Sequence, residues 1–103
     1  MALSSITLTS DLIELRPFSS SDLALIEEAA ADAHIPLITT VPTAFSERDG
    51  LAFIARQADR METEAGWSLA IVDRSQERAV GQIGLWLTNL HHGRAELGYW
   101  VVE

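Results

Sequence analysis

The sequence predicts an α+β fold, an antiparallel sheet in a mixed fold with two helices on one face. Two stretches in the N-terminal part place apolar residues at helical spacing, and each opens on a Ser-to-Asp capping pattern. Three runs rich in Val, Ile, Leu and aromatic residues follow, joined by short polar turns. The order is strand, helix, helix, strand, strand, strand. Short links make the last three strands an antiparallel meander, and the helices can cover one face of it.

The first strand is expected over Leu12 to Arg16, where apolar residues alternate with polar ones. Pro17 lacks a backbone donor and ends it. Ser19 as N-cap with Asp22 three residues on starts a helix from about Ser20 to Ala33, with Leu23, Ile26 and Ala30 on its core face. Pro36 and Pro42 make the stretch from His34 to Phe45 an ordered but irregular loop. Ser46 and Asp49 repeat the capping pattern. A second helix follows from Glu47 to Glu64, with Leu51, Ile54, Ala58 and Met61 on one face and Gly66 as its stop. Gly50 in its first turn costs a little. Trp67 to Asp73 is the second strand, Arg74 to Arg78 a turn and Ala79 to Leu87 the third strand. Thr88 to Gly93 is a hairpin loop and Arg94 to Glu103 the fourth strand.

The chain has 103 residues, enough for one domain at most. Its hydrophobic fraction of 48% supports a packed core. Cysteine is absent, which excludes disulfides and thiolate metal sites. The first residues carry no basic segment and no long apolar run, so no secretory signal and no membrane span are expected, and a cytoplasmic location is the default. Fifteen acidic against seven basic residues give a net charge of −8. That field repels nucleic acid and anionic membranes, and favours cationic partners such as amines. An acidic surface that only keeps the chain soluble is the plainer reading of the same number.

Strand alternation places Ile83, Leu85 and Leu87 on one face of the third strand and Val80, Gln82, Gly84 and Trp86 on the other. In the fourth strand Leu97, Tyr99 and Val101 oppose Glu96, Gly98, Trp100 and Val102. Gly84 and Gly98 thin the sheet beside Glu96. They allow either a ligand's approach or tight packing under an aromatic. Trp86 and Trp100 either flank a cleft on that face or pack under another element. His91 and His92 are adjacent on a turn and lack the spacing of a metal site, so no metal is expected. His34 reads as a helix-end residue near the negative pole of the helix dipole.

Leu8-Thr9-Ser10-Asp11-Leu12-Ile13-Glu14-Leu15-Arg16-Pro17-Phe18 resembles the opening strand of GNAT-superfamily N-acetyltransferases. The likeness is to the branch that acetylates ribosomal-protein N-termini and related amines. Gly66 to Val72, Ala79 to Leu85 and Ala95 to Val101 resemble that branch's second, third and fourth strands, in order. The resemblance implies a single partial domain over residues 1–103, equivalent to the N-terminal, acceptor-side half of the GNAT fold. It implies acetyl transfer from acetyl-CoA to a primary amine, a protein N-terminus or a small-molecule amine. In such enzymes an Arg/Gln-x-x-Gly-x-Gly/Ala loop after the fourth strand holds the cofactor pyrophosphate at a helix N-terminus. The sequence reaches Glu103 without that loop, and Gly81 and Gly84 lie within a strand. The chain alone is therefore expected to be inactive.

The resemblance makes Glu96 the catalytic candidate. An amine must lose its proton before it attacks, and a carboxylate in a cleft can take that proton directly or through water. The other reading is a surface Glu paired across the hairpin. The resemblance also implies that backbone N–H groups at Trp100, Val101 and Val102 pair with the pantetheine arm and polarise the thioester carbonyl, against ordinary ladder bonding. It places Pro36 to Phe45 along the acceptor pocket, against a plain connection between helices. The rival to an enzyme is a non-enzymatic α+β module that dimerises through its open sheet face. Two helices cover only one of two apolar faces, so a homodimer or self-association through the C-terminal strand or the open face is expected. Calorimetry with acetyl-CoA should show very weak or no binding to this chain. Low-micromolar binding would place the cofactor away from a pyrophosphate loop.

Overall fold

A computed structural model describes residues 7–39, 41–87 and 92–102. Five strands form one sheet in the order β1-β2-β3-β4-β5, and every neighbouring pair is antiparallel. They are β1 (Leu8–Thr9), β2 (Ile13–Pro17), β3 (Gly66–Asp73), β4 (Arg78–Trp86) and β5 (Glu96–Val101). Between β2 and β3 lie a 3-10 turn (Ser20–Asp22), α1 (Leu23–Ala30), α2 (Ile35–Ile38) and α3 (Glu47–Glu62). The expected α+β class, antiparallel sheet and helix-covered face are all present. His91 and Glu103 lie outside the described residues, as do residues 88–90 of the loop between β4 and β5.

The structure adds a strand. Ser10 accepts from the backbone N–H of Ile13 at 3.2 Å and of Leu12 at 3.3 Å through its hydroxyl. This turn folds Leu8 and Thr9 back onto Leu15 and Glu14. The run from Leu8 to Leu15 is therefore a hairpin rather than one strand. The structure also adds a helical turn. Asp32 Oδ1 accepts from the N–H groups of His34 at 2.7 Å and Ile35 at 3.0 Å, which caps α2. Those donors, His34 first, hold the Asp32 carboxyl below its usual range. His34 thus stands at the start of α2, three residues beyond the C-cap of α1 at Ala31. Pro36 sits in the first turn of α2, where its missing N–H is harmless.

The first helix is shorter than its periodicity suggests, because its opening turn is 3-10 and it closes at Ala30. Asp22 fixes that opening. Its carboxylate accepts from the Ser19 backbone N–H at 2.8 Å and takes a two-pronged pair from Arg16, 2.8 Å on each arm. Asp22 is buried, and its carboxylate raises the Arg16 pKa. The helix is thereby tied to β2.

The second long helix presents a different face from the expected one. It buries Gly50, Phe53 and Gln57, while Leu51 and Ala58 are exposed. Gly50 accounts for part of this rotation: a Cβ there would sit 2.7 Å from Leu23 Cδ2 and 2.9 Å from Phe45 Cε1. The glycine is a contact point, not a flaw in the helix. Ser46 caps the start by accepting from Asp49 N–H at 3.1 Å. Glu64, not Gly66, makes the stop. It takes the left-handed conformation, φ 62°, and Ala65 N–H reaches Arg60 O at 2.8 Å in a Schellman closure. Gly66 instead begins β3 where the backbone of Leu85 leaves no room for a side chain.

The helices cover the less apolar face of the sheet. Leu25, Ile26, Ala29, Ala30, Ile35, Val41 and Phe53 pack there with Trp100. A register shift after Ile71 pairs Val72 with Ala79 and leaves Val80 out of strict alternation. Ala79, rather than Val80, therefore packs toward the core. Within this layer runs a buried polar chain. Trp100 Nε1 donates to Gln82 Oε1 at 2.6 Å, and Gln82 Nε2 donates to Gln57 Oε1 at 2.9 Å and to Ser68 Oγ at 2.6 Å. Ser68 Oγ donates to Gln57 Oε1 at 2.7 Å, and Gln57 Nε2 donates to Phe53 O at 2.7 Å. Among the described residues no buried side-chain polar atom lacks a partner. The opposite face carries Leu97, Tyr99 and Val101, which are 67%, 73% and 47% exposed.

Replacing Gln82 with Ala should leave Trp100 N–H and the Gln57–Ser68 pair short of partners. A buried unsatisfied polar group costs about 1–3 kcal/mol, so thermal or urea unfolding should show a loss of roughly 2–4 kcal/mol. Adding Trp100→Phe to Gln82→Leu should recover part of it, because the orphaned donor is then gone.

Candidate functional site

The site lies on the helix-covered side of the C-terminal hairpin, where the sheet is thinnest. Gly84 of β4 and Gly98 of β5 face each other across the ladder, next to the Trp86–Glu96 and Gln82–Trp100 pairs. With no side chains at the glycine pair, a cleft of ≈ 440 Å³ opens between the sheet and the helix layer. Thr39, Arg60, Gln82, Trp86 and Trp100 line it together with the two glycines.

The two glycines have different reasons. The Trp86 indole folds over Gly84, and a Cβ there would lie 2.2 Å from Trp86 Cζ2. A Cβ at Gly98 would meet nothing within 4 Å. Gly84 therefore receives an aromatic ring, while Gly98 leaves a space that a ligand can fill. The packing reading describes Gly84, and open space stands over Gly98. Both readings of the tryptophans hold. Trp86 flanks the cleft, and Trp100 is a core residue whose indole N–H is engaged by Gln82.

Arg60 closes the cleft from α3. Its guanidinium carbon lies 4.5 Å from the Trp86 ring centroid, a stacked cation–π contact. Burial, and secondly the neighbouring Arg56 charge, push its pKa down from the ordinary arginine value. Thr39 enters from just after α2, its hydroxyl donating to Ile35 O at 2.7 Å and accepting from Val41 N–H at 3.1 Å. Among the described residues of the Pro36 to Phe45 stretch, Thr39 lines the cleft and Val41 is buried in the core.

Glu96 opens β5 on the cleft side of the sheet, opposite Trp86, and is exposed. Trp100 is buried, Val101 lies on the outer face and Val102 packs partly against the core. Val102 N–H donates to Val80 O at 2.8 Å. Antiparallel ladders alternate, so Trp100 and Val102 direct their amides toward β4, and Val101 turns its N–H and C=O toward the free edge. Of the three backbone candidates, Val101 is the one aimed away from the ladder. His92 is exposed beside the β4–β5 hairpin, and no cluster of metal-binding side chains occurs among the described residues.

Sequence reasoning missed Arg60, Thr39 and the Gln57–Ser68–Gln82 group. A signal for two of them was present. Phe53, Gln57 and Arg60 fall at i, i+4 and i+7, so two polar residues share the helix face of a buried phenylalanine. Polar side chains on such a face need partners or a solvent-filled space. Thr39 had no comparable signal, because its place depends on the α2 turn.

The Acetyltransferase (GNAT) domain family model matches residues 13–103. No protein of curated function is significantly similar to the chain in sequence. Among solved structures, a Vibrio cholerae protein assigned as a ribosomal-protein-serine acetyltransferase superposes with a TM-score of 0.76 at 14% identity, covering 95% of this chain and 55% of its own. The ribosomal-protein-S5-alanine acetyltransferase of Vibrio fischeri gives 0.69 at 13% identity, covering 94% and 56%. The microcin C7 self-immunity acetyltransferase MccE, solved with acetyl-CoA and AMP, gives 0.70 at 18% identity, covering 90% and 52%. The chain thus spans a little over half the length of these structures. At such identities they share a fold with it, and the family model adds what the fold alone does not: this chain belongs to the GNAT acetyltransferase family.

Proposed function

We propose that the chain forms the acceptor side of an acetyl-CoA-dependent N-acetyltransferase that acts on a primary amine, either a protein N-terminus or a small-molecule amine. The observation that carries this reading is the cleft itself. It sits on the strand pair that bears Glu96, it is floored by Gly98, and one wall is a polarised Trp86–Arg60 stack.

Acetyl-CoA supplies the acetyl group as a thioester. The residues present fit such a group in two respects. The space over Gly98 is one that a Cβ would fill, and the Val101 amide is directed off the sheet edge, where an extended arm can pair with it. Glu96 stands on the cleft side of the same strand, as a base for the incoming ammonium. Trp86 and the core side of Trp100 narrow the cleft and exclude water from it. Gln82 holds β5 in register by its bond to Trp100, which fixes Glu96 relative to that space.

A second reading concerns association. The outer face presents Leu97, Tyr99 and Val101 to solvent, and Leu8, Leu15, Trp67, Ile83 and Leu85 continue it as a shallow apolar groove. β5 has no neighbour on its far side among the described strands. We infer self-association through β5 or this face, as a homodimer or a looser assembly.

In a catalytically active form of the protein, Glu96→Gln should lower turnover by about 10²-fold and flatten its rise with pH, with acetyl-CoA affinity little changed. Unchanged steady-state turnover would remove Glu96 from the mechanism. Sedimentation velocity of the chain should show species larger than a monomer as concentration rises, and Leu97→Glu with Tyr99→Lys should shift the population back. A single monomer at every concentration would sink the association reading.

A further inference from the structure

Arg60 carries a charge that no described carboxylate neutralises. No carboxylate among the described residues forms an ion pair with it. The charge that acts on it is that of Arg56, which is like in sign. Burial and this repulsion both disfavour the guanidinium ion, yet an arginine stays protonated under physiological conditions. The protein as a whole carries a net charge of −8. A half-buried cation with a second cation beside it runs against that field, and it does so at the wall of the cleft.

The geometry of the stack matters. The Arg60 guanidinium carbon lies over the Trp86 ring, 4.5 Å from its centroid. A guanidinium carries its N–H donors around its edge, in a planar fork that matches a carboxylate or a phosphoryl group. Three other polar side chains of the lining are already engaged. Thr39 Oγ bonds to Ile35 and Val41, the Gln82 amide to Gln57, Ser68 and Trp100, and the Trp100 indole to Gln82. Glu96 is the ladder partner of Trp86, so the Arg60 stack and the candidate base lie at the same end of the hairpin.

We propose that the amine acceptor of this cleft carries an oxyanion, a carboxylate or phosphoryl group, and that Arg60 seats it through the edge of its guanidinium. The proposal rests on the acetyltransferase reading of the cleft. It makes the acceptor zwitterionic, with an ammonium drawn toward Glu96 and an oxyanion drawn toward Arg60. The net acidic charge of the chain then attracts one end of the acceptor, and Arg60 attracts the other.

The test uses a series built on one skeleton. Ethanolamine, O-phosphoethanolamine and β-alanine each present a primary amine, with a hydroxyl, a phosphate or a carboxylate at the other end. Binding to the full chain is read from the Trp86 and Trp100 indole N–H resonances. At least one of the two anionic probes should bind roughly tenfold more tightly than ethanolamine, as one charge-assisted hydrogen bond predicts. The tighter of the two identifies the oxyanion as phosphoryl or carboxylate. Arg60→Gln should remove the preference and Arg60→Lys should keep part of it. Equal binding of all three probes by the native chain overturns the proposal, as does a preference that survives in folded Arg60→Gln. Should Arg60→Gln fail to fold, competition in the native chain decides. Inorganic phosphate that displaces the anionic probe but not ethanolamine supports the proposal, and displacement of neither overturns it. Acetylation assays separate this from the parent reading. If ethanolamine is acetylated as readily as the anionic amines, acetyl transfer stands and the oxyanion site falls. If the anions bind through Arg60 but an active form acetylates no amine, the reverse holds.

Discussion

The indole N–H of Trp100 sets the polarity of the hydrogen-bond chain on which the hairpin depends. An indole nitrogen can only donate, so the group facing it must be the carbonyl oxygen of Gln82. That fixes the amide orientation and turns the Gln82 nitrogen toward Gln57 and Ser68. Gln57 then offers its oxygen to both and its nitrogen to Phe53 O within its own helix. One donor-only group thereby dictates the direction of every bond in a chain that joins β5, β4, β3 and α3. A fully satisfied buried network of this kind specifies one arrangement, since any slip of register leaves polar atoms stranded.

The cleft is a consequence of that arrangement. The network holds β5 against β4 at the Gln82–Trp100 pair, and the glycine pair follows two residues along, toward Glu96. With the strands held there and no side chains between, the helix layer cannot close onto the sheet. Arg60 lies beyond Gln57 on α3, and its stack on Trp86 props the layer open. Stability and site are thus built from one strip of residues. Phe53 and Gln57 anchor the helix to the sheet, and Arg60 faces the space that results.

The Arg16–Asp22 pair plays the matching part at the other edge. It joins β2 to the first turn of the helix layer, and Asp22 holds the Ser19 backbone as well. Asp22 is buried and its carboxylate is held by charge-assisted hydrogen bonds, so the pair orients the helix layer more than it adds net stability. With β5 held by the network and β2 by this pair, the helices are positioned at both margins of the sheet.

The class of fold, the order of its main elements, the antiparallel meander and the two faces of β5 were legible in the sequence, because strand alternation and capping residues act locally. The resemblance of four short runs to GNAT strands was legible too, since it depends on residue order. The Leu8–Leu15 hairpin was not, because a serine side chain replaces the usual turn residues there. Nor was the face that α3 buries. Its apolar stripe at Leu51, Ile54, Ala58 and Met61 competes with Gly50, Phe53 and Gln57, and the contact of Gly50 with Leu23 and Phe45 favours the second. The helix stop at Glu64 escaped because a glutamate seldom takes a positive φ, and only the closure onto Arg60 makes it do so here. The sequence by itself determined which strand bears Glu96 and which residues share its face. Tertiary structure decided what stands across from that face, because the approach of Arg60, Thr39 and Trp86 depends on long-range packing that no local pattern encodes.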